Sequence, residues 1–125
     1  MPVSVKDMLA AANAVVPRIS AEEAKALVGR ADVLFVDVRD GTEVLASGKV
    51  KGAVHAQRGL IEFKADPDMP SHDEAFDRSK TIITYCASGG RSALAGKTLK
   101  DMGYEKVMNL GGFAGWVEAG GPVEK

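Results

Sequence analysis

The sequence has little cysteine, few aromatic residues, no long apolar run and almost no net charge. One cysteine among 125 residues excludes an intrachain disulfide and a zinc site built on a cysteine pair. No apolar run approaches the roughly 20 residues that a membrane-spanning helix requires. A formal charge of −1 gives no broad attraction to nucleic acid or to an anionic membrane.

The composition that remains is typical of one folded domain. Hydrophobic residues make up 46% and charged residues 26% of the chain, which argues against disorder. Lys6 and Asp7 stand where a signal peptide would have its apolar core. A lone thiol suits a reducing compartment, and the histidines and carboxylates show no metal-binding spacing. We therefore expect a cytoplasmic protein with no metal or cofactor and with no nucleic-acid or membrane partner.

Short apolar runs alternate with helical patterns along the chain. A helical pattern over 4–16 ends at Pro17, and Ser20 with Glu23 forms a capping box that begins a second helix. Gly103 marks the end of a further helix. Four runs are predicted to be strands, namely 33–36, 53–56, 82–85 and 107–110. This alternation predicts an α/β domain with a largely parallel sheet.

The segment 81–92 contains the candidate catalytic residues. The predicted strand 82–85 ends at Cys86, and the next residues are Ala87, Ser88, Gly89, Gly90, Arg91 and Ser92. In open α/β sheets, ligands bind at the carboxyl ends of the strands. Small residues let successive N–H groups converge on an anion, and a helix N-terminus and Arg91 add positive charge. These features favour the thiolate form of Cys86, which is the nucleophilic form.

A structural interpretation of the same residues is also open. Most free cysteines are buried and inert, and the glycines could form an ordinary turn from strand to helix. It is the combination of strand, cysteine, small residues, arginine and helix that favours a catalytic cysteine.

Three other charged residues are weaker candidates. Asp37 and Arg39 follow a strand end and could contact substrate, but an ion pair that holds the strand exit is the favoured interpretation. Arg58 follows the predicted strand 53–56 and could supply a cation to the loop, although long basic side chains on loops are commonly just solvated.

The loop from Cys86 to Ser92 resembles the active-site loop of the rhodanese family of sulfurtransferases. Further blocks resemble the family in order and spacing: 35–39, Glu43 with 48–54, and 110–116 with 119–122. The resemblance covers about residues 19–122. It implies a rhodanese-like domain over 19–125 and a separate helical extension over 1–18.

The resemblance implies both a fold and a mechanism. The fold would be a small parallel β-sheet flanked by helices on both faces, with the N-terminal helix added. Cys86 would take sulfur from a donor such as thiosulfate or a persulfide, and a thiol or cyanide would then remove it. Backbone N–H groups of 87–91 would hold the negative charge of the persulfide. Asp37 and Arg39 look structural or adjacent to the site in this family.

Two features of the loop bear on alternative functions. Four residues separate Cys86 from Arg91, whereas similar phosphatase loops have five, so sulfur is favoured over phosphate or arsenate. Ala87 and Gly90 stand where thiosulfate-active members often carry basic residues, so steering of thiosulfate should be weaker. A persulfide donor, a protein persulfide partner, or a relay or interaction module with little turnover therefore stays open. So does the choice between monomer and homodimer.

Overall fold

Helices and strands alternate along the chain, which the computed structural model describes from residue 2 to residue 125. In chain order the elements are α1 (Val5–Val15), α2 (Ala21–Lys25), β1 (Val33–Asp37), α3 (Gly41–Ser47), β2 (Lys49–Val50), β3 (Val54–His55), a 3-10 turn (Arg58–Leu60), α4 (Ile61–Ala65), β4 (Thr81–Cys86), α5 (Gly90–Asp101), β5 (Val107–Gly112), α6 (Phe113–Glu118) and β6 (Val123–Glu124). The predicted alternation of strands and helices is confirmed.

The central sheet has four parallel strands in the order β3-β1-β4-β5. The chain just after α1 extends this sheet, because Asn109 N–H donates to Pro17 O at 2.9 Å and Ile19 N–H donates to Asn109 O at 3.1 Å. β2 and β6 form a separate antiparallel pair. Since all four central strands run the same way, their carboxyl ends meet at one edge, where Cys86 ends β4.

Each face of the sheet is covered by helices. On one face, Val36 and Ile82 of the sheet pack with Leu99 of α5 and with residues of α4. On the other face, Phe35 and Ile83 pack with residues of α2 and α6. The strands are buried on both sides, which is why they appear in the sequence as continuous apolar runs. The fold predicted from the family resemblance is thus confirmed.

The ends of the helices follow the local chemistry. Ser20 Oγ accepts from Glu23 N–H at 3.1 Å, and Ser20 N–H donates to the Glu23 carboxylate at 3.2 Å, so the capping box begins α2. Gly103 follows α5 with φ +100°, a conformation that glycine adopts without strain. The helix Ile61–Ala65 was not predicted, because it spans barely more than one turn and has no side-chain cap.

α1 packs against α5 and continues directly into the edge of the sheet. The division of the chain at residue 18 stays a prediction. Among the helices within residues 2–125, none combines the length and the apolar character needed to cross a bilayer.

Candidate active site

The sulfur of Cys86 lies inside the loop that joins β4 to α5. Gly89 adopts φ +99°, which turns the chain so that its N–H donates to Cys86 Sγ at 3.0 Å. Gly89 also approaches Gly111 closely, since a Cβ built on Gly89 would lie 3.4 Å from Gly111 Cα. The glycine is therefore needed for its backbone conformation and for this close approach.

Hydrogen bonds lower the pKa of the Cys86 thiol. Burial raises the pKa of Cys86, but the Ser92 hydroxyl and the backbone N–H groups of Ser92, Gly89 and Ser88 together lower it below the ordinary value. Ser92 Oγ lies 3.4 Å from Sγ. The loop thus stabilises the thiolate mainly through neutral donors that are fixed in place.

Asn109 positions the two residues that contact the sulfur, Ser92 through its hydroxyl and Gly89 through its backbone. Ser92 Oγ donates to Asn109 Oδ1 at 2.7 Å, and Asn109 Nδ2 donates to Gly89 O at 3.2 Å. Gly111 N–H donates to the same Oδ1 at 2.9 Å. Asn109 is 1% exposed. Sequence reasoning did not single out this residue, although a polar side chain inside the apolar run 107–110 was an available signal.

Arg91 is paired with a carboxylate on a neighbouring helix. Its two Nη atoms contact the Glu43 carboxylate at 2.7 and 3.0 Å, which makes a bidentate ion pair with α3. The hydrogen bond from Arg91 lowers the pKa of Glu43, and Glu43 in turn raises the pKa of Arg91. The positive charge that the sequence predicts for the loop at Arg91 is therefore partly neutralised by Glu43.

The remaining loop residues form the rim and the floor of the site. Ala87 and Ser88 are exposed, Gly90 is partly buried and Ser92 is fully buried. Gly112 lies directly beneath the rim, since a Cβ built there would come 2.7 Å from Ala87 O. Within residues 2–125, no group of three or more histidine, cysteine or acidic side chains is arranged to hold a metal ion.

The weaker candidates make contacts away from the sulfur. Asp37 and Arg39 form a buried ion pair at 2.6 Å, and the Arg39 guanidinium lies over the Phe113 ring at 4.4 Å. Phe113 belongs to the face of the sheet opposite the apolar cluster that contains Cys86. Arg58 pairs with Glu62 and donates to the Thr98 hydroxyl in the last turn of α5. A substrate contact for Asp37, Arg39 or Arg58 stays a prediction.

Comparisons with known proteins agree with the resemblance in the sequence. The model of the rhodanese-like domain matches residues 20–119. A sulfurtransferase of Allochromatium vinosum is 33% identical over 93 residues, covering 74% of this chain and 78% of that protein. The polysulfide-sulfur transferase homodimer of Wolinella succinogenes superposes with a TM-score of 0.75 and 33% identity, covering 95% of this chain and 85% of its own.

A further solved structure is more similar in fold and sequence and carries a different description. This protein of Rhodopseudomonas palustris, of unknown function and described as a possible tyrosine phosphatase, superposes with a TM-score of 0.91 and 41% identity. The match covers 99% of this chain and 96% of that one.

Proposed function

This chain belongs to the family of rhodanese-like domains, and from that premise we propose that it is a sulfurtransferase that carries sulfur as a persulfide on Cys86. One observation carries the proposal: Cys86 Sγ lies within hydrogen-bonding distance of Gly89 N–H and Ser92 Oγ at the carboxyl end of β4. Its pKa is lowered by these groups, so the thiolate needed for attack is favoured.

In the first half-reaction the Cys86 thiolate attacks the sulfane sulfur of the donor. A new S–S bond forms at Sγ while the donor's own bond to that sulfur breaks. The leaving group departs with the electron pair, as sulfite from thiosulfate or as a thiolate from a persulfide. Cys86 is left as an anionic persulfide, and no outside oxidant is required.

In the second half-reaction an acceptor removes the outer sulfur. A thiolate or cyanide attacks it, the S–S bond to Cys86 breaks, and the electron pair returns to Sγ. The acceptor leaves as a persulfide or as thiocyanate, and the free thiolate is restored. Because the enzyme alternates between two covalent states, ping-pong kinetics are expected.

The backbone of the loop is suited to hold the anionic persulfide. We expect the N–H groups of 87–91 to donate to its outer sulfur, since preorganised donors are usually a large part of catalysis. Cys86 itself is 0% exposed. We therefore expect loading to require a local opening of the loop, at the exposed residues Ala87 and Ser88.

A persulfide is the better donor candidate than thiosulfate. Thiosulfate carries two negative charges, but Ala87 and Gly90 are uncharged and the charge of Arg91 is shared with Glu43. A small or protein-bound persulfide needs less neutralisation. If a protein is the donor, this chain acts as a relay with little turnover on small molecules. A cytoplasmic location stays a prediction of the sequence.

Phosphate hydrolysis is the second candidate, favoured by the likeness to the Rhodopseudomonas palustris protein. The geometry gives it less support. Four residues separate Cys86 from Arg91, whereas the similar phosphatase loops have five. The loop is therefore one residue shorter than those that hold a phosphate. The Arg91 guanidinium also gives two of its five N–H donors to Glu43, which partly neutralises the charge available to a phosphate.

Intact-mass measurement tests the proposal. The purified protein is incubated with thiosulfate or with a small persulfide, and then with cyanide or a thiol. We expect a gain of one sulfur atom that the second reagent removes, with faster loading from the persulfide. Cys86→Ala is the control and should gain nothing. No sulfur gain with either donor, together with Cys86-dependent hydrolysis of an aryl phosphate, would overturn the proposal in favour of the phosphatase.

A further inference from the structure

Arg18 lies beside the active-site loop, at the point where the chain leaves α1 and joins the sheet. Its Nε donates to Asn109 O at 3.1 Å and its Nη2 donates to Leu110 O at 3.4 Å. The guanidinium lies against Gly111, where a Cβ would collide with Nη2. Two carbonyl groups therefore hold the Arg18 guanidinium at the carboxyl end of β5. It lies against Gly111, the residue that Gly89 also approaches closely.

The three arginines that the sequence suggested for this site, unlike Arg18, are paired with carboxylates. Arg91 pairs with Glu43, Arg39 pairs with Asp37, and Arg58 pairs with Glu62. Arg18 has no carboxylate partner within residues 2–125. Its Nη1 makes no hydrogen bond in the same part of the chain. A fixed guanidinium with unused donors is suited to bind a carboxylate.

A cleft of about 340 Å³ connects Arg18 with the loop. One wall is formed by Leu9, Asn13 and Arg18, and the other includes Ser88, Gly89 and Gly90. The cleft and the sulfur share Gly89, which lines the cleft and whose N–H donates to Cys86 Sγ. Cys86 is buried and is not among the residues that line the cleft, so we expect a molecule to place its remaining atoms there once the loop opens and its sulfur reaches Cys86.

We propose that Arg18 binds the carboxylate of a small acidic thiol, which serves as acceptor and, in its persulfide form, as donor. This inference rests on the proposed sulfurtransferase function. Arg18 lies beside the loop and not within it, so the anionic group must be several bonds away from the reacting sulfur. A mercaptocarboxylate meets that requirement, whereas the charges of thiosulfate lie directly next to its sulfane sulfur. Arg18 forms no covalent bond and acts only in binding.

Three small thiols of different charge test the assignment. Persulfide-loaded protein is mixed with mercaptopropionate, mercaptoethanol or cysteamine, and the rate of sulfur removal is followed by mass. The rate for Arg18→Ala is divided by the rate for the unchanged protein, which cancels the intrinsic reactivity of each thiol. We expect about a tenfold loss of kcat/KM for mercaptopropionate, the size of one charge-assisted hydrogen-bonded contact. Mercaptoethanol should change less than about twofold, and cysteamine should be unchanged or faster.

Arg30→Ala is the matched control, because Arg30 is exposed, pairs with Asp32 and gives the same change in net charge. It should leave all three rates unchanged. Arg18→Lys should recover only part of the loss, since an ammonium lacks the bidentate geometry.

The outcomes separate the two hypotheses. An equal loss for all three thiols in Arg18→Ala would assign Arg18 to the structure of the loop and overturn the inference, and so would no loss for any. Either result leaves the proposed function intact, because the unchanged protein still exchanges sulfur. Failure of the unchanged protein to load sulfur from any donor would instead overturn the proposed function and the role of Arg18 with it.

Discussion

Replacing Ser92 with alanine removes a side-chain hydroxyl that contacts Cys86 Sγ. Ser92 Oγ lies 3.4 Å from Cys86 Sγ and 2.7 Å from Asn109 Oδ1. The hydroxyl has a single proton, so it cannot donate to both atoms at once. With a neutral thiol the proton goes to Asn109 and Cys86 donates to Ser92. With a thiolate the hydroxyl turns to Sγ, and Asn109 Oδ1 keeps only its backbone donor.

The size of the effect follows from this exchange. A hydrogen bond to a charged group contributes about 1.5–3 kcal/mol. Here the contact to sulfur is 3.4 Å and the hydroxyl gives up Asn109 to make it, so the lower end applies. About 1.4 kcal/mol corresponds to a tenfold change in an equilibrium constant. The pKa of Cys86 should therefore rise in Ser92→Ala, and at a pH below it the thiolate should be about tenfold less populated, while the backbone donors stay in place.

The direction in which the pKa shifts follows from the negative charge of the thiolate. Losing a donor that stabilises the charged form raises the pKa, so the thiolate fraction falls at every pH below the new value. The rate of Cys86 alkylation by iodoacetamide, measured against pH, reports this shift, and the ultraviolet absorbance of the thiolate gives an independent reading. The sulfur-loading rate should shift along the same pH axis.

Two further variants make the measurement specific. Ser92→Thr keeps the hydroxyl and should restore most of the original pKa. Ser71→Ala removes an exposed hydroxyl whose hydrogen bond goes to Phe63 O, and it should have no effect. A pKa for Ser92→Ala that is unchanged or lower than that of the parent would refute the assigned role of the hydroxyl.

Three other substitutions test buried contacts, two of them beside the loop and one at the Asp37–Arg39 ion pair. Asn109→Ala should slow sulfur loading and lower the free energy of unfolding by about 1–3 kcal/mol, because it leaves buried polar groups without partners; loading kinetics and urea unfolding measure both. Gly112→Ala should displace the rim at Ala87 and destabilise the fold by about 1–3 kcal/mol, and unchanged loading would contradict the close approach at 2.7 Å. Arg39→Ala should cost about 3–5 kcal/mol in urea unfolding, because Asp37 stays buried without its partner; a loss below about 1 kcal/mol would contradict this.

The elements that the sequence predicted correctly are those fixed by neighbouring residues. The apolar runs became β1, β4 and β5, the capping box at Ser20 began α2, and Gly103 followed the end of α5. Cys86 was placed at the end of β4 for the same reason. Each depends on contacts within a few positions along the chain, which periodicity and capping rules describe.

The contacts that the sequence could not predict join distant parts of the chain. Glu43 and Arg91 are 48 positions apart, and Ser92 and Asn109 are 17 apart. Arg18 reaches the site only because the chain after α1 pairs with β5. Strand order and register bring these residues together, and the hydrophobic pattern of a single sequence specifies neither which strands pair nor which charged groups then become neighbours.

The burial of Cys86 also determines how this chain responds to oxidants. Cys86 is 0% exposed, and the chain contains no second cysteine with which to form a disulfide. A sulfenic acid on Cys86 therefore cannot form a disulfide within the chain, and further oxidation to the sulfinic acid is irreversible for most proteins. Recovery depends on a thiol from outside that is small enough to pass the rim. The catalytic cycle and the repair of the nucleophile would then use the same entrance and compete for the same molecules.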